Sequence, residues 1–389
     1  MLIGIVGAPN KGKSTLFSAL TLNEVDIADY PFTTINPNLG VTYATKECAE
    51  KDLGVKCNAR NSLCINGLRQ IPINIVDVAG LVEGAHEGKG RGNQFLNDLA
   101  GADALVLVVD ASGKTDSNGN SCESCNPEDD VNVVRNELVE WISSIVKKHM
   151  SQLSKRADGI NALAEILTGL KISKEEIKEV IYNSSLSEVK ITWSKSELKR
   201  FSEEILKKSK PMLIVANKCD AKSSDKNLIE LKSKFGSDNV IGISAAIELA
   251  LRKADKQQLI EYIPGSNTFK IINENMTKEQ INALNYMLEF IKKSNNSQSI
   301  SNKVIFGLLD NIVVYPVEDE NKYTDHFGNV LPDAVLMKKG STALDLAGTI
   351  HTDIAKNMLY AVDARNKKRL SKDYVLKDND VIRIVSAAK

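Results

Sequence analysis

The chain has 389 residues, of which 42% are hydrophobic and 26% charged. That length exceeds one ordinary core and predicts two or three domains of a soluble globular kind. Lys+Arg and Asp+Glu are both 50, so no global field points to nucleic acid or to a membrane surface, and any basic patch must be local. No apolar run approaches membrane-spanning length. Met1 abuts the first apolar run, so no secretory leader is expected and the cytoplasm is the expected compartment.

Leu2 to Val6 reads as a buried strand, and Gly7-Ala8-Pro9-Asn10-Lys11-Gly12-Lys13-Ser14 follows it directly. The run fits G-x-x-x-x-G-K-[ST], and helical spacing begins at Ser14 and Thr15. Strand, glycine turn and helix start form the context of a phosphate-binding loop. Its backbone N–H groups and the helix N-terminus would cradle phosphate oxygens. Lys13 would reach the β- and γ-phosphates, and the Ser14 hydroxyl would ligate Mg²⁺. The competing interpretation is a glycine turn with a surface lysine.

The next loop, Ala28 to Pro37, is polar and marked by prolines. Thr34 is the candidate to close over Mg²⁺ and the γ-phosphate, although a plain loop threonine would look the same in isolation. Residues 43–70 are charged and poorly periodic and read as an insertion. Ile71 to Val76 is a strand that runs into Asp77-Val78-Ala79-Gly80, a D-x-x-G placing a carboxylate near Mg²⁺ and a glycine amide near the γ-phosphate. Gly84, Gly88, Gly90 and Gly92 crowd the following loop, the composition of a segment ordered only by ligand. Ala102 to Asp110 is a continuous apolar run, as expected of a buried parallel strand.

About 90 residues then intervene before the next strand. Val131 to Lys148, Asn161 to Leu170 and Ser194 to Lys208 have helical spacing with charged outer faces, which predicts an inserted helical domain. Between Lys147 and Lys210 there are 14 Lys+Arg against 9 Asp+Glu, a net of +5. A solvated helix face explains this better than a partner does. Pro211 to Ala216 is a further strand and delivers Asn217-Lys218-Cys219-Asp220, an N-K-x-D. Asp220 would accept hydrogen bonds from guanine N1–H and the 2-amino group. Adenine offers neither, and such sites discriminate by about 10⁴. The Lys218 stem would lie along the base, and Asn217 would tie this loop to the phosphate loop. Val240 to Ile243 leads to Ser244-Ala245-Ala246, whose backbone would contact guanine O6.

Thr277 to Lys293 reads as an amphipathic helix, and Ser294 to Asn302 as a polar linker. Strands are expected over Ile312–Val317, Ala334–Met337, Tyr360–Ala364 and Val381–Val385, with one helix over Thr342–Asn357. The six cysteines are Cys48, Cys57, Cys64, Cys122, Cys125 and Cys219. They are expected to be ordinary reduced thiols. A zinc site built from Cys122, Cys125 and one of the first three is the weaker alternative.

The ordered motifs describe a guanine-nucleotide switch, and their wording is more specific. Tyr30-Pro31-Phe32-Thr33-Thr34, the run Asp77 to Gly90, and Met337 to Thr342 with Asp345-Leu346-Ala347 and Ile350 to Asp353 resemble the Obg superfamily of GTPases, YchF subfamily. The resemblance covers essentially the whole chain. It implies an α/β fold: a P-loop NTPase G domain with a mostly parallel sheet and helices on both faces, an inserted helical domain, and a C-terminal β-grasp TGS domain. The implied boundaries are 1–112 and 209–275 for the G domain, 113–208 for the insertion, 276–310 for a helical linker and 311–389 for TGS. Mg²⁺ and GTP/GDP are the implied cofactors, and a ribosome or RNA is the implied partner, with no membrane and no DNA. Many family members have degraded base-specificity motifs and accept ATP; the intact Asn217-Lys218-Cys219-Asp220 favours GTP here. Leu81 stands where other GTPases carry a water-positioning glutamine, and the resemblance makes His86 the catalytic candidate, against a plain surface histidine. Asn10 occupies the position of a K⁺ ligand in potassium-stimulated relatives. Lys11 departs from the usual small residue, and the sequence gives no reason for it. Arg365 to Arg369 offers phosphate contacts or a solvated hairpin turn. The rival functions are an ATPase or kinase on the same loop, and a non-hydrolysing RNA-binding scaffold.

Overall fold

The computed structural model describes residues 1–21, 38–78, 80, 84, 99–188, 191–273 and 275–387. The expected roles of Thr34, Leu81 and His86 fall outside them. Two compact units divide the chain: Met1–Leu22, Asn36–Val41 and Asn74–Ile300 in one, and Asn23–Ile35, Thr42–Ile73 and Ser301–Lys389 in the other.

The first unit is built on β1 (Leu2–Val6), α1 (Lys13–Thr21), the end of β4 (Leu68–Asp77), β5 (Ala104–Asp110), β6 (Met212–Asn217) and β7 (Val240–Gly242). Its strands lie in the order β4-β1-β5-β6-β7, all parallel. Every residue of β5 is buried. Burial on both faces is why that strand carries a continuous apolar run rather than an alternating one. Each fully buried Val or Leu side chain there contributes about 1.5–3 kcal/mol relative to exposure.

Between β5 and β6 come α3 (Pro127–Lys148), α4 (Met150–Leu153), α5 (Gly159–Leu167), α6 (Lys174–Asn183) and α7 (Lys195–Ser209). Asn126 caps α3 and puts Pro127 in its first turn, where a missing N–H costs nothing. Ser173 with Glu176, and Ser194 with Glu197, form capping boxes that start α6 and α7. Trp141, Ile142, Trp193 and Phe201 share one buried cluster with Leu105, Leu107 and Ile214 of the sheet. The helical segment therefore packs into the sheet's own core. Helix α6 lies outside the three helices that the spacing predicts. Beyond β7, α8 (Ser224–Phe235) having preceded it, lie α9 (Ala245–Lys256), a short pair β8 (Ile260–Glu261) and β9 (Lys270–Ile271), and α10 (Lys278–Ile291).

The second unit has a five-stranded sheet ordered β11-β10-β14-β12-β13. Its strands are β10 (Asn311–Val317), β11 (Val335–Lys338), β12 (Met358–Asp363), β13 (Lys368–Leu370) and β14 (Asp380–Ser386). The first and last strands, β10 and β14, pair in parallel at the centre. The helix expected over 342–357 is two helices, α12 (Ala343–Ile350) and α13 (Thr352–Lys356). His351 between them is extended (φ −164°, ψ 139°), and its Nδ1 accepts from the Asp353 N–H at 3.1 Å. Similarly, the expected linker 294–302 contains α11 (Ser297–Asn302). In this unit its polar side chains are internally satisfied: Asn302 Oδ1 accepts from Thr45 N–H at 2.7 Å, and the buried Ser301 lies 3.3 Å from the Thr42 hydroxyl.

Residues 43–70, read as an aperiodic insertion, contain the bulk of β2 (Leu39–Glu47), a one-turn α2 (Glu50–Leu53), and β3 (Leu63–Ile65) paired antiparallel with β4. Asn66 (φ 52°) and Gly67 (φ 75°) make the two-residue turn between β3 and β4, the left-handed pair a tight hairpin requires. Cys48, Ala49 and Ile71 are buried with Val313, Tyr315 and Val381. Arg365 bonds to Asp52 (3.4 Å) and to the Asn379 carbonyl (3.0 Å), and the Arg369 guanidinium stacks on Tyr360 at 3.9 Å. These two cations of the 365–369 run are held by the fold itself. Among the described residues no helix is long and apolar enough to cross a membrane.

Candidate nucleotide-binding site

The carboxyl end of β1 opens into the glycine loop. Gly7 has φ 149°, and a Cβ there would lie 2.4 Å from the Val108 carbonyl of β5; Gly12 has φ 89°, and a Cβ there would meet the Asn217 amide at 2.3 Å. Both positions therefore demand glycine sterically as well as conformationally. Asn10 also takes a left-handed conformation, φ 61°.

Lys13 is buried, and its ammonium donates to the Ala8 carbonyl at 2.8 Å, arching across the loop. Burial pulls its pKa down, the Asp77 carboxylate opposes that, and Lys11 adds to it. An ammonium so poorly solvated gains most from a polyanion. Ser14 Oγ donates to Asp77 Oδ2 at 2.7 Å. The other oxygen, Asp77 Oδ1, is buried without a hydrogen-bond partner. A hydroxyl and an orphaned carboxylate oxygen side by side suit a hard divalent cation with oxygen ligands, so these residues fit Mg²⁺. Gly80 lies against the same point, since a Cβ on it would be 3.3 Å from Lys13 Nζ and 3.2 Å from Pro9 Cγ.

The N-K-x-D and S-A-A loops join the glycine loop through Asn217. Its Nδ2 donates to the Lys11 carbonyl (2.9 Å), and its Oδ1 accepts from Ala245 N–H (2.9 Å). One buried amide thus pins N-K-x-D, S-A-A and G-x-x-x-x-G-K-S together. Ser244 caps α9, accepting from Ile247 N–H. Lys218, at φ 64°, sends its ammonium to Asp110 Oδ2 (2.8 Å) and the Asn10 carbonyl (3.1 Å). Burial would raise the Asp110 pKa, but bonds from Lys218, Ser112 and Thr115 outweigh it and hold the carboxyl below its ordinary value. Asp220 is exposed, and its carbonyl accepts from the Tyr286 hydroxyl at 3.2 Å.

Several contacts were not legible beforehand. Lys11 is fully buried and turns away from the loop to Asp130 of α3 (2.8 Å), with Thr115 O and Oγ1 at 2.9 and 3.0 Å. Burial raises the Asp130 pKa, and Lys11 opposes the rise. Asn10 Nδ2 donates to the Gly119 carbonyl at 2.9 Å, and a Cβ on Gly119 would lie 2.8 Å from Pro9 Cβ. The 113–125 segment therefore braces the outside of the phosphate loop. Cys122 and Cys125 within it form a disulfide. This corrects the expectation of reduced thiols at those two positions and removes them as zinc ligands. Finally, the Gly84 N–H donates to the buried Glu137 carboxylate of α3 at 2.7 Å, joining the segment after D-x-x-G to the helical region.

The G-x-x-x-x-G-K-S, D-x-x-G, N-K-x-D and S-A-A motifs, gathered at the carboxyl edge of a parallel sheet, define a P-loop G domain. Sequence comparison agrees with the geometry. Residues 2–155 match the family described as 50S ribosome-binding GTPase, 215–319 match the G4 motif-containing domain of the Obg-like YGR210-like GTPases, and 327–386 match the TGS domain. The chain is 50% identical over 395 residues to an uncharacterized GTP-binding protein of Methanocaldococcus jannaschii, covering 100% of both. It is 30% identical to the ribosome-binding ATPase YchF of Mycoplasma genitalium, covering 97% of both. The crystal structure of a GTP-binding protein from Pyrococcus horikoshii superposes with a TM-score of 0.82 at 39% identity, covering 100% of each chain. The chain belongs to the YchF family of Obg-like GTPases.

Proposed function

We propose that this protein is a Mg²⁺-dependent switch that hydrolyses GTP to GDP and phosphate and works with the ribosome or an RNA bound to it. The observation that carries the nucleotide part is the convergence of four distant motifs, with Ser14 on Asp77 and Asn217 bridging Lys11 to Ala245. Gly7 to Ser14, with Thr15 behind them, would hold the phosphates, while Asp220 reads the guanine edge and Ser244, Ala245 and Ala246 face its O6. Mg²⁺ would be held by Ser14, Asp77 and Thr34, and when bound it neutralises charge on the β- and γ-phosphate oxygens. Lys13 and the loop amides stabilise the charge that grows as water attacks the γ-phosphorus in line. His86 is the residue assigned to that water, since Leu81 has no group to orient it. K⁺ at Asn10 Oδ1 would supply positive charge as an arginine finger does in other GTPases. The ribosome enters because the M. genitalium relative is named for binding it. That relative is called an ATPase; the intact Asp220 is the reason for assigning GTP here.

The test is steady-state GTP hydrolysis in K⁺ and Na⁺ buffers, with and without ribosomes from the source organism. A large rise with ribosomes in K⁺, lost in His86→Ala, is expected. A near-zero rate under every condition would instead favour a scaffold for which GTP is only a conformational ligand.

A further inference from the structure

Outside the nucleotide site, the second unit brings together Cys48, Glu50, Cys57 and Cys64, whose ligand atoms all lie within 4.8 Å of one another. We propose that these four side chains form a closed, structural site for one zinc ion. In tetrahedral zinc with Zn–S near 2.3 Å, neighbouring sulfurs sit roughly 3.8 Å apart, so the donors need to close by only about 1 Å. Three thiols and one carboxylate complete a four-coordinate shell from protein alone, the pattern of a structural rather than a catalytic site. Thiolate softness selects zinc over Mg²⁺ or Ca²⁺, and an odd number of thiols cannot all be consumed as disulfides.

The backbone fixes each donor. Cys48 follows β2 directly, and its N–H donates to the carbonyl of the hairpin glycine, Gly67, at 2.9 Å. Glu50 opens α2 and accepts from Cys57 N–H at 2.9 Å, while the Cys64 thiol of β3 points to its other oxygen at 3.4 Å. Gly54, at φ 64°, turns the chain back after α2.

The surroundings supply an independent indication. Arg69 is 0% exposed, and its guanidinium bonds only neutral groups, Ser62 Oγ at 3.1 Å and the Leu331 carbonyl at 2.5 Å. Its Nε has no partner, and among the described residues no carboxylate forms an ion pair with it. Arg69 of β4 is the cross-strand partner of Cys64 in β3. A buried cation with no directly paired counter-charge is costly. Zinc with three thiolates and a carboxylate carries two net negative charges, which would provide one. The Tyr315 hydroxyl, buried without a hydrogen-bond partner in the same cluster as Cys48, could donate to its sulfur. On loading, each thiol releases its proton to solvent. The metal would clamp residues 48–64 onto the cluster containing Cys48, Tyr315 and Val381.

The test uses the full chain, reduced and stripped of metal, titrated with Co²⁺ and then Zn²⁺. Expected are about one equivalent bound, the intense visible bands of tetrahedral thiolate-ligated cobalt, bleaching by zinc, and a rise in melting temperature on zinc loading. Cys57→Ser/Cys64→Ser should lose the bands and the rise. Cys122→Ser/Cys125→Ser should keep both. Glu50→Cys separates ligand loss from misfolding by a gain: it should bind one equivalent more tightly than the native chain, an effect misfolding does not produce. Weak, pale six-coordinate cobalt spectra, unchanged binding in Cys57→Ser/Cys64→Ser, or loss confined to Cys122→Ser/Cys125→Ser would each overturn the proposal.

Discussion

Replacing Lys11 with Met removes the charge but keeps most of the stem, so it isolates the buried ion pair from packing. In the native chain the Lys11 ammonium donates to the two Thr115 oxygens and pairs by charge with the Asp130 carboxylate 2.8 Å away. Without it, Asp130, 2% exposed, has no counter-ion and must either stay charged in a poor solvent or take up a proton. Protonating an Asp of ordinary pKa at pH 7 costs about 4 kcal/mol, at 1.36 kcal/mol per unit. That figure caps the electrostatic loss, and breaking a buried pair typically costs about 3–5 kcal/mol. At pH 5 the same cap is about 1.5 kcal/mol. A carboxyl whose folded pKa lies above its unfolded one binds its proton more tightly in the fold, so the variant recovers relative to wild type as pH falls. Urea unfolding at pH 7, 6 and 5 measures this. Trp141 and Trp193, both in the core that holds α3, report the relevant unit. A deficit of about 3–4 kcal/mol at pH 7 that halves or better by pH 5 is expected. A deficit independent of pH, or none at pH 7, would refute the reasoning.

Two further perturbations probe the same unit. Glu137→Ala leaves the Gly84 N–H without its charged acceptor and should cost about 1–3 kcal/mol in urea unfolding, with Glu137→Gln recovering most of it. Lys210 is buried between the Ala100 and Ala102 carbonyls, and burial holds its pKa at about 8 against an ordinary 10.5. Between those values the unfolded chain keeps a proton that the folded chain has lost, so native stability rises with pH. Relative to Lys210→Met, wild type should gain about 3 kcal/mol from pH 8 to pH 10.5.

Where local sequence and tertiary structure make the same demand, the fold was legible. The apolar runs of β1, β5 and β6 are buried on both faces and can be little else. The residues at their carboxyl ends, from Gly7 and from Asn217, follow directly from them. Residues 43–70 were not legible because charge and cysteine content masked alternation, although Asn66-Gly67 was a hairpin signal that could have been used. The split at His351 had no breaker at 350 or 351 to announce it. Helix α11 is mostly polar, and Ser297, Ser301 and Asn302 bond to Arg252, Thr42 and Thr45, far away in sequence. Lys11 is the clearest case at the site: its partner, Asp130, lies in another element, and only the folded chain explains a cation where a small residue usually sits.

The most direct measurement is competitive binding of GTP and ATP to the wild-type chain and to Asp220→Asn in the presence of Mg²⁺. A GTP preference approaching 10⁴-fold in wild type is expected from a carboxylate that pairs with two guanine donors, falling by about 10²-fold or more in the variant. Equal affinity of the wild-type chain for the two nucleotides, or an unchanged preference in Asp220→Asn, would contradict the assignment of this site to guanine.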